Sequence, residues 1–131
     1  MVGPGPSSTF TERVKQGADC VSASDLIGIR ALLPQVMDKA AAIKDSDRLR
    51  QRVELLARFV TEVPSSLDTP LHRESVFVLY YLLHGRDLIP DSIPEIGLLD
   101  DALLIETAFN RNQHELRAHW AGQGRAWPET A

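Results

Sequence analysis

Apolar residues recur at helical spacing in the stretch that follows Ser24 and Asp25, two residues that favour a helix N-terminus. Steps of three and four place these apolar positions on one face of a helix. They are Leu26, Ile29, Leu33, Val36, Met37 and Ala40. Pro34 interrupts the pattern, and because proline lacks a backbone donor we expect a kink or a restart there.

The next stretch carries the clearest amphipathic pattern of the chain. It follows a break at residues 45–47, where Ser46 lies between two aspartates, and it ends at Val63 and Pro64. Its apolar positions are Leu49, Val53, Leu56, Phe59, Val60 and Val63. The other face carries arginines, which we interpret as the solvated side of a helix.

Residues 76–83 are eight consecutive apolar residues, a run that fits either a buried strand or a buried helix. We favour a helix because Thr69 and Pro70 form a start signal, and because no second strand is predicted to pair with this one. A helix that is apolar all round is expected to be the central one, and Gly85 is expected to end it.

The last predicted helix begins near Leu98, and we expect a break in it at residues 110–112. Its apolar stripe consists of Ala102, Ile105, Phe109, Leu116 and Trp120. With a weaker helix over residues 10–18, the pattern predicts an all-α fold. We expect a small bundle of four to five helices, with a proline-rich acidic loop between the last two core helices. The predicted organisation is a disordered tail over 1–9, one helical domain over 10–121 and a mobile tail over 122–131.

Composition narrows the function classes. The chain has 131 residues and a net charge of −4, which argues against nucleic acid as the default partner. Arg48, Arg50, Arg52 and Arg58 are clustered, but a solvated helix face explains them better than a basic binding site. The single cysteine, Cys20, allows no internal disulfide, and we expect a semi-buried residue without a redox role. The first residues do not resemble a signal peptide, so we expect a cytoplasmic protein.

Familiar catalytic motifs are missing from the sequence. It contains neither a glycine-rich phosphate loop nor a Gly-x-Ser-x-Gly elbow. His114 and His119 resemble a zinc-protease helix, but they are five residues apart and therefore about 140° apart around a helix axis. We expect both to be solvated surface histidines. His84, at a predicted helix C-terminus, is explained by the helix dipole.

Four aspartates stand out between residues 86 and 101: Asp87, Asp91, Asp100 and Asp101. Four carboxylates on or beside a constrained loop can converge on a divalent cation such as Mg²⁺, Mn²⁺ or Ca²⁺, or can act as acid and base. They can equally cap helix N-termini, where a negative charge offsets the dipole. We favour capping and keep the metal site as the alternative; no other cofactor is expected.

The segment from Tyr81 to Leu103 resembles the YkvA-like family, the domain of unknown function numbered 1232. The resemblance rests on these aspartates together with Pro90, Pro94 and Gly97, and the family-like segment covers about residues 70–109. It implies an apolar helix, an acidic proline-containing turn and a second apolar helix. It implies no activity, because the family has no agreed biochemical function. Some members carry more hydrophobic helices and look membrane-associated. Here His84-Gly85 replaces the family's Ser-Pro, and Arg86 and Ser92 add polarity, which weakens that implication.

Three functions follow as hypotheses. The first is a protein-interaction or adaptor module with an unknown protein partner, and it is the one we favour. The second is a divalent-metal-binding domain or metal-dependent enzyme that uses the four aspartates, although no nucleophile is evident and an enzyme is the less favoured expectation. The third is a peripheral membrane-associated domain, which the acidic net charge disfavours.

Overall fold

The computed structural model describes residues 6–44, 46–64, 66–88 and 94–128, and the side chains of residues 10–44, 46–64, 66–83 and 102–128. Five helices follow one another along the chain. They are α1 (Pro6–Asp19), α2 (Ala23–Ala41), α3 (Asp47–Glu62), α4 (Pro70–Leu88) and α5 (Pro94–Gly122). The described residues contain no strand, and the all-α prediction is confirmed. The acidic turn predicted between the last two core helices lies outside the described residues.

Short polar side chains start three of these helices. The Ser22 hydroxyl accepts the backbone N–H of Asp25, whose carboxylate in turn accepts the backbone N–H of Ser22, so the pair forms a capping box. Ser46 caps α3 by accepting the N–H of Leu49. Thr69 caps α4 by accepting the N–H of His72, with Pro70 at the first helical position. The predicted starts of α3 and α4 are therefore confirmed, and that of α2 lies at Ser22 rather than Ser24.

Helix α4 is the central element, as its unbroken apolar run predicts. It packs against each of the other four helices. Val76, Val78 and Leu79 are almost completely buried along it, and apolar side chains from α3 and α5 complete the core around them. At the contact with α1, a Cβ added to Gly17 would lie 2.3 Å from the ring of Phe77, so this glycine allows the two helices to approach closely.

Several predicted boundaries need correction. Helix α4 continues through Gly85 to Leu88, because one glycine costs a helix only about 1 kcal/mol and does not by itself end it. Helix α5 begins at Pro94 rather than Leu98, since a proline in the first turn loses no hydrogen bond, and it runs without a break through residues 110–112. Helix α1 begins at Pro6, so residues 6–9 are helical and not part of a tail.

Pro34 lies inside α2, which continues past it to Ala41 without the expected restart. The helix survives because its inner face, formed by Leu26, Ile29, Val36 and Ala40, is buried against the core. Packing of that face outweighs the one backbone hydrogen bond that proline removes.

Two arginines join neighbouring helices. The expectation of a solvated α3 face holds for Arg48 and Arg58, which are exposed, and is wrong for Arg52. Arg52 is buried, lies 4.7 Å above the ring of Phe109 and forms an ion pair with Glu106 at 3.5 Å. Burial lowers the pKa of Arg52, Glu106 raises it and Arg48 lowers it. On α4, Arg73 donates to the carbonyls of Ala18, Asp19 and Val21, and so holds the C-terminus of α1.

Candidate functional site

A groove of about 650 Å³ lies between α2, α3 and the C-terminal end of α5. Its apolar surface comes from Leu33 and Met37 on α2, Leu55 on α3 and Trp120 on α5. Met37 is 42% exposed, which is unusual for so large an apolar side chain in this protein. The groove therefore offers apolar surface to a ligand without any rearrangement of the core.

Glu62 and Arg58, which line the groove, belong to a cluster of charged residues. Arg125 donates to one carboxylate oxygen of Glu62 at 2.6 Å and His119 donates to the same oxygen at 2.9 Å, while Arg58 donates to the other at 3.3 Å. Partial burial raises the pKa of Glu62, but the hydrogen bonds from Arg125, His119 and Arg58 outweigh it and lower the pKa to about 2. Glu62 is thus a satisfied anion rather than a proton acceptor near neutral pH.

The segment after α5 folds back along the protein and forms part of the groove wall. Gly124 takes a positive φ of 71°, and the backbone N–H of Arg125 donates to the carbonyl of Trp120. Trp127 packs against Trp120 and Phe109, with ring centroids 6.1 and 5.8 Å apart. The sequence placed Trp127 in a mobile tail, whereas the structure anchors it by aromatic packing, and Pro128 beside it lines the groove.

Glu54 is the one charged groove residue without a hydrogen-bond or ion-pair partner among the described residues. It lies one turn before Arg58 on α3, whose guanidinium is already paired with Glu62. A carboxylate beside an apolar groove is poised to pair with a cation supplied by a ligand. The groove therefore combines apolar surface with one available negative charge.

A second polar cluster has a structural role. The carboxylate of Glu74, which is only 4% exposed, accepts two hydrogen bonds from Arg111 at 3.0 and 3.2 Å and one from Asn112 at 3.0 Å. Hydrogen bonding to Glu74 raises the pKa of Arg111 above its ordinary value, against the lowering effect of burial. Because its donors and acceptors satisfy one another, this cluster joins α4 to α5 and offers no free group for chemistry.

The residues singled out in the sequence lie mostly where the structure gives no side chain. Asp87 is in the last turn of α4, while Pro94, Gly97, Asp100 and Asp101 are in α5. The side chains of Asp87, Pro94, Asp100 and Asp101 lie outside the described residues, and so do all atoms of Pro90 and Asp91. The earlier start of α5 moves Asp100 and Asp101 from its first turn to its second. Helix-dipole stabilisation, which fades within the first turn, is therefore weaker for them than the sequence suggested.

Within the part of the chain that the structure describes, no three His, Cys, Asp or Glu side chains gather closely enough to hold a metal ion. His119 is partly buried, hydrogen bonded to Glu62 and packed edge-on against Phe59, whereas His114 is exposed. The expectation of solvated histidines therefore holds for His114 alone. Cys20 is exposed rather than semi-buried.

Membrane association was the third hypothesis. No single helix within the described ranges is long and apolar enough to span a membrane. A bent pair of segments, Phe10–Asp19 and Ala23–Ala41, passes together by length and composition alone, with an angle of 107° between them.

Comparison with known proteins gives a family match over part of the chain. Residues 75–106 match the DUF1232 family model. That model describes a protein of unknown function, and the match confirms the family suspected from the sequence, although the YkvA-like name stays a prediction. The searches of curated proteins and of solved structures found no match.

The DUF1232 segment and the groove are separate parts of the molecule. The matched segment covers all but the first five residues of α4 and the beginning of α5, whereas every residue that lines the groove lies outside residues 75–106. Sequence reasoning missed the groove because its contacts are distant along the chain, as with Glu62 and Arg125, which are 63 positions apart. The one available signal was Trp127, an isolated large aromatic in a short polar tail.

Proposed function

We propose that this protein is an interaction module and that its groove binds an amphipathic helix of another protein, one that carries basic residues along its edge. The observation that carries the proposal is the combination of exposed Met37 with the unpaired carboxylate of Glu54 in one preformed groove.

The dimensions of the groove support a helical ligand. Its α3 wall runs from Gln51 to Glu62, which corresponds to about 16 Å of helix or three turns. Three turns present apolar side chains at i, i+3, i+4 and i+7, which is the spacing that helix-in-groove recognition uses. Leu33, Leu55 and Trp120 provide the complementary apolar surface.

Charge supports a basic ligand. The chain carries a net charge of −4, which favours encounter with cationic partners. Glu62 is neutralised internally by Arg125, Arg58 and His119, so Glu54 remains the acidic group that a partner can pair with. A Lys or Arg on the edge of the partner helix would meet it and fix the register of binding.

A direct test uses two designed helical peptides of about fourteen residues with the same leucine stripe, one with lysines along its edge and the other with glutamates. We expect saturable binding of the lysine peptide in fluorescence anisotropy, and binding of the glutamate peptide at least ten-fold weaker. In the Glu54→Lys variant this preference should invert or vanish. Equal affinity for both peptides in wild type and variant would overturn the charge assignment.

The apolar part of the proposal has its own control pair. Met37→Glu places a charge inside the groove and should weaken the lysine peptide's binding about ten-fold, whereas Gln35→Glu, on an exposed part of the same helix outside the groove, should leave it within two-fold. If Met37→Glu binds as wild type does, the groove is not the docking surface.

A further inference from the structure

The outer face of α2 carries an unusual stripe for an exposed helix surface. Five exposed residues form this stripe, which we call the α2 stripe: Arg30, Ala31, Pro34, Met37 and Asp38. Their spacing puts them on one side of the helix, next to the buried face formed by Leu26, Ile29, Val36 and Ala40, and Met37 at the edge of the stripe also lines the groove. Ile27 lies two helical turns before Pro34 on the same side of the helix, and its side chain is 62% exposed, more than that of Met37. Among the described residues, Ile27 and Met37 are the two large apolar side chains that are exposed, and both lie on this side of α2.

The stripe is complementary to itself. Arg30 and Asp38 are equally distant from Pro34 along the helix, and so are Ala31 and Met37. In a two-fold symmetric contact each residue meets the residue on the other side of the axis. An antiparallel pair of α2 helices centred on Pro34 therefore sets each arginine against an aspartate and each small alanine against a methionine.

We propose that a second copy of this chain docks on the α2 stripe, antiparallel, with the two-fold axis passing beside Pro34. The two symmetric contacts between Arg30 and Asp38 supply opposite charges at both ends of the central contact. Ile27 of one copy then lies toward the exposed Ala41 of the other, again a large side chain against a small one. This alternation lets the two helices approach closely without a gap or a clash.

The charged groups are available for this contact. Asp38 is exposed and has no ion pair among the described residues. Arg30 uses one terminal nitrogen to donate to the carbonyl of Val63 at the end of α3. Its other donors can pair with a carboxylate while that contact is kept.

The contact is one helix face wide, so the dimer is expected to be weak. Interfaces that bury less than about 1,200 Å² in total are typical of transient complexes, and a dissociation constant on the order of micromolar or weaker follows. The dimer goes beyond the proposed groove function. Met37 belongs to both surfaces, but Glu54 is not part of the stripe, and Arg30, Pro34 and Asp38 do not line the groove.

Charge exchange tests the pairing. Sedimentation velocity across a concentration series should show that Arg30→Glu and Asp38→Arg each raise the dissociation constant at least ten-fold, while the double variant returns to within about three-fold of wild type. Lys39→Glu, an exposed charge reversal on the same helix outside the stripe, should have no effect. A wild type that stays monomeric at 1 mM, or a double variant no stronger than its single variants, would overturn the proposal.

Cross-linking tests the axis without touching the Val63 contact of Arg30. In a Cys20→Ser background, Pro34→Cys should form a disulfide-linked dimer under mild oxidation much faster than Gln35→Cys, because only the axial residue meets its own copy. Equal rates for the two cysteines would reject the antiparallel arrangement. Since neither readout involves a peptide in the groove, failure of the dimer and failure of the groove function are distinguishable.

Discussion

The buried ion pair between Glu74 and Arg111 makes the sharpest energetic prediction. Replacing Arg111 with alanine removes two of the three hydrogen bonds that described residues donate to a carboxylate that is 4% exposed, and leaves Asn112 as the remaining donor among them. A buried charge that loses its partner keeps the cost of desolvation without the compensating attraction. We therefore expect Arg111→Ala to destabilise the fold more than a typical surface substitution does.

The magnitude follows from the burial of the two side chains. Breaking a buried pair costs about 3–5 kcal/mol, and because Arg111 is 29% exposed and Asn112 still donates, we expect about 2–3 kcal/mol. For a domain of this size that corresponds to a fall in melting temperature of roughly 10 °C. Glu74→Gln alone should cost about 1–2 kcal/mol, since Arg111 then loses a charged acceptor.

The two substitutions should not add. An amide at position 74 needs no counter-charge, so Glu74→Gln should destabilise the wild type but stabilise the Arg111→Ala variant by about 1 kcal/mol. Urea unfolding of the four proteins, followed by circular dichroism, measures this cycle. An ordinary hydrogen bond contributes about 1 kcal/mol. The reasoning is therefore refuted if the unfolding free energy of Arg111→Ala lies within about 0.5 kcal/mol of the wild-type value. It is also refuted if the double variant is less stable than Arg111→Ala.

Three further predictions concern the groove, the DUF1232 segment and the caps. The folded pKa of Glu62, about 2, lies below its ordinary value of 4.5, so its stabilising effect is complete above pH 4.5 and is lost as the pH falls toward 2. At pH 6 the Glu62→Gln variant should therefore have an unfolding free energy about 1 kcal/mol lower than that of wild type, a value that allows for solvent screening. This difference should shrink as the pH falls toward 2. If the aspartates of the DUF1232 segment do not bind a cation, addition of Mg²⁺, Mn²⁺ or Ca²⁺ should leave the melting temperature of the protein unchanged. A rise of several degrees that is absent in the Asp91→Asn, Asp101→Asn double variant would instead support the metal hypothesis. Ser22→Ala should cost about 1 kcal/mol in urea unfolding, and an unchanged midpoint would show that the α2 capping box contributes nothing.

Local patterns predicted the helices better than their ends. The apolar spacing of α3 and the run of α4 predicted both elements and the central place of α4, because burial of an apolar face follows directly from which residues carry it. Gly85 and Pro34 misled the prediction of breaks. Their local costs, a few kcal/mol at most, are smaller than what burial of a whole helix face supplies.

The candidate site shows the opposite balance. The sequence drew attention to the aspartates of the DUF1232 segment, whose spacing is visible along the chain and which the family match supports. The sequence pattern did not predict that Glu62 would form ion pairs with Arg125 and His119, or that Arg52 would be buried against Phe109. A charged residue on a helix looks solvated until packing of distant helices removes the solvent around it.

The sequence by itself thus determined the fold class, the order of the helices, many of the buried apolar positions and the segment that matches a family model. Those properties depend on residue type and on spacing within a turn or two of helix. The sequence did not determine the whole core, since Met37, which the pattern grouped with the apolar face of α2, is 42% exposed. Tertiary packing alone decided which polar groups were buried, where the groove opened and which face of α2 stayed exposed. These depend on contacts such as that of Glu62 with Arg125, between residues far apart in the chain, and such contacts exist only once the helices have closed around α4.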